Sequence, residues 1–208
     1  IATPDGRMGF DAVVQGLAGG VDRFLADPAR AVEVLGAIQS DATLARLDAA
    51  AGLGTVALAS RAVAHPAFPE ARVRTPLILV VDAADEAAYG EERFGPIAMV
   101  VRCADTADAL ARATALARTR GALTAALYSS DPGVVAAAED AFVEAGVALS
   151  VNLTGGVFVN QTAAFSDFHG TGANPAGNAA LCDLAFVAGR FRVVQSRVPV
   201  AAPAPVTA

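Results

Sequence analysis

A series of short apolar runs constrains this chain more than any other feature. Residues 77–81 read Leu-Ile-Leu-Val-Val, and residues 97–101 read Ile-Ala-Met-Val-Val. Further runs lie over 123–128 and 147–151, each preceded by a segment with helical signals. Strands that alternate with helices of about four turns need crossover connections, and these produce a mainly parallel sheet. Parallel strands are covered on both faces, so they read as continuous apolar runs. The expected fold is therefore α/β, a three-layer αβα arrangement around a mainly parallel sheet.

The helices carry their own punctuation. Phe10, Val13, Val14, Leu17, Val21, Phe24 and Leu25 recur at three- and four-residue steps and predict a helix over 10–26. Asp27-Pro28 restarts the chain, and a helix begins at Asp41 with Leu44 and Leu47 on one face. A short strand is expected over 55–59, then a loop over 64–76 punctuated by Pro66, Pro69 and Pro76. Asp105 or Thr106 caps a helix with a stripe of Leu110, Ala113 and Leu116, which Gly121 stops. Asp131-Pro132 is a cap followed by proline at the first helical position, and Gly146 ends that helix. Further on come Gly155-Gly156, an apolar run over 157–159 and a Gly/Asn/Thr-rich loop over 161–178. A short helix over 179–188 leads into an edge strand from Arg190 to Val198. The Ala/Pro/Val-rich tail, 199–208, is expected to lack order of its own.

Composition closes several functional classes. The 208 residues include 51 alanines, are 54% hydrophobic and 17% charged, and carry a net charge of −6. Such a chain is too apolar to be disordered and long enough for one domain with a core. All 15 basic residues are arginines. Without lysine, neither a P-loop nor Schiff-base chemistry can be completed within the chain. The acidic balance argues against nucleic acid as a partner. Two cysteines make no disulfide framework, so a cytoplasmic location is expected. The chain begins at Ile1 with no signal-peptide pattern and reads as a piece of a longer product. The charge-free stretch 146–166 holds Asn152, Asn160, Gln161 and Gly155-Gly156, which suit buried strands and a turn, not a membrane span.

Several constellations invite chemistry. Gly170, Gly172 and Gly177 lack the G-x-G-x-x-G spacing of a phosphate loop. His65, His169, Cys103 and Cys182 have no metal-ligand spacing, so no metal site is expected. Cys182 with His169 could pair as nucleophile and base, but Cys182 sits in an Ala/Leu-rich stretch and reads as a small core residue. The acidic pair Glu91-Glu92 stands between two predicted parallel strands. Loops at the C-terminal ends of such strands commonly hold ligands, and a carboxylate there could accept two sugar hydroxyls.

That acidic pair opens a longer motif. Glu-Glu-Arg-Phe-Gly-Pro-Ile, residues 91–97, resembles the E-E-x-F-G-P-[IV] signature of the aldehyde dehydrogenase superfamily. Thr75-Pro-Leu-Ile-Leu-Val-Val-Asp82 is similar to the family's preceding strand, residues 122–131 to a later one, and Phe158-Val-Asn160 to the one after that. Asn152-Leu-Thr-Gly-Gly-Val-Phe-Val-Asn160, Phe165-Ser-Asp-Phe-His-Gly-Thr-Gly-Ala-Asn-Pro175 and Arg190-Phe-Arg-Val-Val-Gln-Ser-Arg197 resemble the phenylacetic acid degradation (PaaN-type) branch.

The resemblance implies a catalytic domain, residues 1–189, incomplete at its N-terminus, followed by an oligomerisation strand and tail, 190–208. It implies oxidation of an aldehyde through a cysteine thiohemiacetal that gives hydride to NAD or NADP, in aromatic-acid breakdown. Glu92 matches the glutamate that bonds the nicotinamide ribose, and Phe94 the phenylalanine near the nicotinamide. Phe165 and Phe168 lie near the family's substrate-tunnel phenylalanine. The implied partners are the aldehyde, the N-terminal cofactor-binding half of the same protein, and a second copy joined through the strand from Arg190 to Val198.

Departures from the family pattern matter as much. Neither Cys103 nor Cys182 matches the nucleophile, which is expected upstream of Ile1, so the chain holds no catalytic residue and is expected to be inactive alone. The usual P-F-G-G-x-K-x-S-G loop is replaced. A mean hydropathy of +0.48 implies apolar surface where a missing half docks. The alternative function is a non-catalytic, truncated relative that acts as an oligomerisation or binding module. A third is a relative acting on acyl-phosphates or acyl-CoA.

Overall fold

In the computed structural model, residues 1–3, 6–122, 124–152 and 194–196 are described. Expectations for the run 157–159, the loop 161–178 with Phe165, Phe168 and His169, the helix 179–188 with Cys182, and the tail 199–208 lie outside them. So do Leu123 and the flanks of the strand expected from Arg190 to Val198. The chain divides into two compact units, Ile1–Cys103 and Ala104–Ala208.

The first unit opens with a hairpin of β1 (Ala2–Thr3) and β2 (Gly6–Arg7). Helix α1 (Phe10–Phe24) follows, then α2 (Pro28–Val34), in which Asp27 caps by accepting from the Ala29 amide at 3.0 Å. Helix α3 (Asp41–Ala50) starts where the Ser40 hydroxyl accepts from the Ala42 amide. The buried stripe of α1 is narrower than its apolar spacing implies. Val14 and Ala18 are buried, whereas Leu17 and Phe24 are 52% and 45% exposed. The inward line runs Val14, Ala18, Val21, Leu25 at steps of four, three and four, which leaves Leu17 and Phe24 to the side. The Arg30 guanidinium lies 4.4 Å over the Phe24 ring and gives it partial cover.

Strands β3 (Thr55–Leu58), β4 (Ala62–Val63), β5 (Val73–Arg74), β6 (Leu77–Asp82) and β7 (Ile97–Arg102) complete this unit, with the one-turn helix α4 (Glu86–Tyr89) between the last two. The segment expected as loop contains β5, paired antiparallel to β4. Two residues of pairing leave too little periodicity to read. Buried Thr75 fixes the corner: its amide donates to the Arg61 carbonyl, and its hydroxyl accepts from the Arg61 amide, both at 2.9 Å.

The main sheet runs β3-β6-β7, with β6 antiparallel to β3 and parallel to β7. Central β6 buries Leu77, Ile78, Leu79 and Val81, as a strand covered on both faces should. Leu47 and Ala50 of α3 pack on Leu77 and Leu79, a contact that carries α3 to this sheet.

The second unit holds α5 (Thr106–Arg120), β8 (Thr124–Leu127), α6 (Pro132–Ala145), β9 (Ala148–Val151) and β10 (Val194–Ser196). Its sheet order is β10-β9-β8, parallel throughout. Asp105 caps α5 and Asp131 caps α6, while Gly121 and Gly146 end them at φ of 84° and 73°. Ala138 and Phe142 pack against Leu149 and Val151 in the core. Among the described residues, three of the four strand pairings in the two larger sheets are parallel. The class is mixed α/β, as the apolar runs imply.

Candidate functional site

The connection from β6 to β7, residues 83–96, carries the acidic motif. Asp82 begins it by accepting from the Ala84 amide at 2.8 Å, and the Tyr89 hydroxyl donates to the Ala83 carbonyl at 2.8 Å. At its far end the Leu77 amide donates to the Pro96 carbonyl at 2.9 Å, which starts the parallel register of β6 and β7. A crossover leaves the C-terminal end of one strand and returns to the N-terminal end of the next. The motif therefore reaches the sheet at the N-terminal ends of its strands. This is the opposite end from the one where open α/β sheets commonly hold ligands, so the expectation from that rule does not apply to this loop.

Glu91, Glu92 and Phe94 are all exposed, and the Phe94 ring is 72% exposed. Arg93 turns the other way. Its Nε donates to the Ala88 carbonyl at 3.1 Å and a terminal nitrogen to the Ala87 carbonyl at 3.3 Å, so it ties the loop to α4. Gly95 has φ of 151°, a conformation L side chains rarely adopt. A Cβ there would stand 3.3 Å from the Thr43 methyl of α3. One turn along the same face of α3, a terminal nitrogen of Arg46 donates to the Phe94 carbonyl at 2.6 Å.

Glu92 and Phe94 share one cleft of about 520 Å³. Its other wall is the segment 36–40 with Thr43, which leads into α3. That wall is held by Arg72, whose Nε donates to the Ile38 carbonyl at 3.1 Å and a terminal nitrogen to the Gln39 carbonyl at 2.6 Å. Arg72 also pairs with Asp41. The cleft thus offers an exposed carboxylate and an exposed aromatic face on a tethered loop. A carboxylate can accept from two neighbouring hydroxyls, and an aromatic face can lie against a planar ring. Among the described residues its polar lining is Gln39, Ser40, Thr43, Glu92 and Arg93.

The remaining candidates have other places. The His65 Nδ1 accepts from the Ala67 and Phe68 amides, both at 3.2 Å, and its ring lies 4.9 Å from that of Phe68. This is a turn-forming role. Cys103 is half-buried just after β7. Among the described residues no three His, Cys, Asp or Glu side chains are grouped to hold a metal ion. Nor is any helix among them long and apolar enough to cross a membrane. A sequence motif marks Glu92 and Phe94, whereas the loop's two α3 neighbours, Thr43 and Arg46, belong to no motif. The only signal for those two is their three-residue spacing on a helix that ends in buried Leu47 and Ala50.

Comparison with known proteins places this loop in context. The sequence profile of the aldehyde dehydrogenase family matches residues 10–179. The chain belongs to the aldehyde dehydrogenase family. It is also similar to a solved NAD-dependent aldehyde dehydrogenase from Burkholderia multivorans, with 58% identity and a TM-score of 0.78. That match covers 98% of this chain and 36% of the other, so the chain spans about a third of that dehydrogenase. No curated protein matches. As an aldehyde dehydrogenase-like fold, the chain owes its β6–β7 crossover and capped α5 and α6 to the signals its sequence displays.

Proposed function

We propose that this chain is the catalytic-domain portion of an NAD(P)-dependent aldehyde dehydrogenase, and that Glu92 and Phe94 face the nicotinamide half of the cofactor. The observation that carries this reading is the shared cleft. An exposed carboxylate and an exposed aromatic ring stand on one loop that two arginines tether. The residues present fit a nicotinamide riboside. Glu92 can accept from the ribose hydroxyls, and the Phe94 ring can pack beside the flat base. When bound, the dinucleotide supplies the hydride acceptor. This chain's residues contribute binding and orientation, which decide how often the reactants meet in productive geometry.

The nucleophilic cysteine and the cofactor-binding half belong, in this reading, to the rest of the protein. Residues 1–189 form the catalytic portion, and 190–208 an oligomerisation strand and tail. Support for the latter comes from β10, which stands at the end of its sheet among the described strands. A strand in that position can template another chain. The motifs at 152–160, 165–175 and 190–197 support a role in phenylacetate or other aromatic breakdown in the cytoplasm, with Phe165 and Phe168 near the substrate.

The test is spectrophotometric. The intact protein that carries this chain is incubated with NAD or NADP and a panel of aldehydes, including aromatic-ring-cleavage semialdehydes. Reduction of the dinucleotide by at least one aldehyde is expected. No reduction with any of them would overturn the enzymatic reading and favour the non-catalytic binding module.

A further inference from the structure

We propose that Arg46 is a positioning residue for the cofactor side of the site. It acts through the Phe94 carbonyl, which it holds at 2.6 Å. This inference rests on the reading of Glu92 and Phe94 given above.

The argument begins with what the loop lacks. Among the described residues, 91–94 make no backbone–backbone hydrogen bond. The Gly90 amide closes α4, and the next backbone bond is from the Ile97 amide to the Gly95 carbonyl. A segment without ladder or turn bonds has nothing of its own to fix its dihedrals, and such segments open at low free energy. Two side chains supply the missing ties. Arg93 binds the loop backwards to the Ala87 and Ala88 carbonyls. Arg46 binds it across to α3, 48 residues earlier in the chain.

These two ties hold the loop at Arg93, the residue after Glu92, and at the Phe94 carbonyl. Arg93, between Glu92 and Phe94, ties the loop to α4, and Arg46 fixes the peptide plane that follows Phe94. A peptide plane held at its carbonyl fixes ψ of Phe94, and so restrains where the Phe94 ring can reach. The bond is charge-assisted, and Arg46 forms no ion pair among the described residues that would compete for it. Its helix is itself anchored by Leu47, 1% exposed, so the guanidinium projects from a fixed base. Thr43 adds the steric half of the same contact at Gly95.

The experiment compares Arg46→Met and Arg46→Lys in the intact protein, after a melting curve shows that both fold. The first readout is tryptic cleavage at the Arg93–Phe94 bond, followed by mass spectrometry. Cleavage is expected on the order of tenfold faster in Arg46→Met, with partial restoration in Arg46→Lys, because a charged hydrogen bond to the loop is lost and then partly replaced. The second readout is steady-state kinetics in NAD. A positioning role lowers kcat more than it raises KM, and the lysine variant recovers part of kcat. Unchanged cleavage overturns the inference. So does faster cleavage with wild-type kcat when Glu92→Gln lowers kcat, since the tie then exists without positioning anything. If neither Arg46→Met nor Glu92→Gln alters kinetics while cleavage rises, the reading of Glu92 and Phe94 fails, and the positioning role fails with it.

Discussion

Gly95 carries two constraints at once. L side chains rarely adopt its φ of 151°, and a Cβ would make a tight 3.3 Å contact with the Thr43 methyl. Gly95→Ala is expected to cost about 1–3 kcal/mol, the usual range for an L residue forced into a sparse backbone region. Urea unfolding checks this, and a change below the error of the fit would contradict it. Asp108 is a second residue whose chemistry is set locally. Its carboxylate accepts from the Ala104 amide at 3.0 Å and from Arg112 Nε at 2.7 Å. The Ala104 bond first, then the Arg112 bond, lowers its pKa below the ordinary 3.8, against an opposing desolvation. A carboxylate with a lowered folded pKa stabilises the protein above its unfolded pKa, and that stability is lost as pH falls through the folded value. Asp108→Asn is therefore expected to lower Tm at neutral pH, with a difference that shrinks as the solution is acidified below pH about 4. A difference independent of pH would contradict the assignment. Glu92 and Phe94 were legible as candidates because a local motif carries them. Arg46 was not, because its bond spans 48 residues and no local periodicity encodes such a contact.

Elements followed the sequence where one physical signal dominates. Asp131 accepts from the Gly133 and Val134 amides, Pro132 stands at the first helical position, and Gly146 takes the left-handed conformation, so α6 starts and stops where these residues say. Strand β6 matches its apolar run because it lies between two neighbours. Strand β8 has one neighbour among the described strands and buries alternate residues in part, Ala125 and Leu127. The α1 stripe was overread because spacing cannot tell which side of an apolar arc meets the core. Strand β5 went unread because it is two residues long. Close approach also escapes periodicity. Gly54 enters β3 with its Cα so near β6 that a Cβ would stand 2.5 Å from the Val80 carbonyl oxygen and 2.7 Å from Val81 Cγ1. Because the first obstacle is backbone, Gly54→Ala is expected to destabilise by about 1–3 kcal/mol, as overpacking does. Thermal melting of Gly54→Ala beside Gly52→Ala, where a Cβ meets nothing within 4 Å, separates the effect from a general loss of glycine. Equal melting temperatures would contradict it.

At the scale of the whole molecule, an aldehyde dehydrogenase family chain of 208 residues spans 36% of a 58%-identical NAD-dependent relative. It presents one cleft to which Glu92 and Phe94 both contribute. Large apolar side chains are exposed in both units, Leu17 on α1 and Val143 on α6 among them. That agrees in kind with the high mean hydropathy of +0.48. The class of the fold was legible because parallel strands and their crossovers leave a strong pattern. The division into two units was not, because no composition shift marks the passage from Cys103 to Ala104.

The central claim is that Glu92 meets the nicotinamide ribose. Calorimetric titration of the intact protein and its Glu92→Gln variant, with NAD and separately with ADP, tests it most directly. ADP carries the adenosine and both phosphates but lacks the nicotinamide ribose. Loss of a charge-assisted bond pair should weaken NAD binding on the order of tenfold and leave ADP binding unchanged. Equal weakening of both ligands, or of neither, would contradict the account.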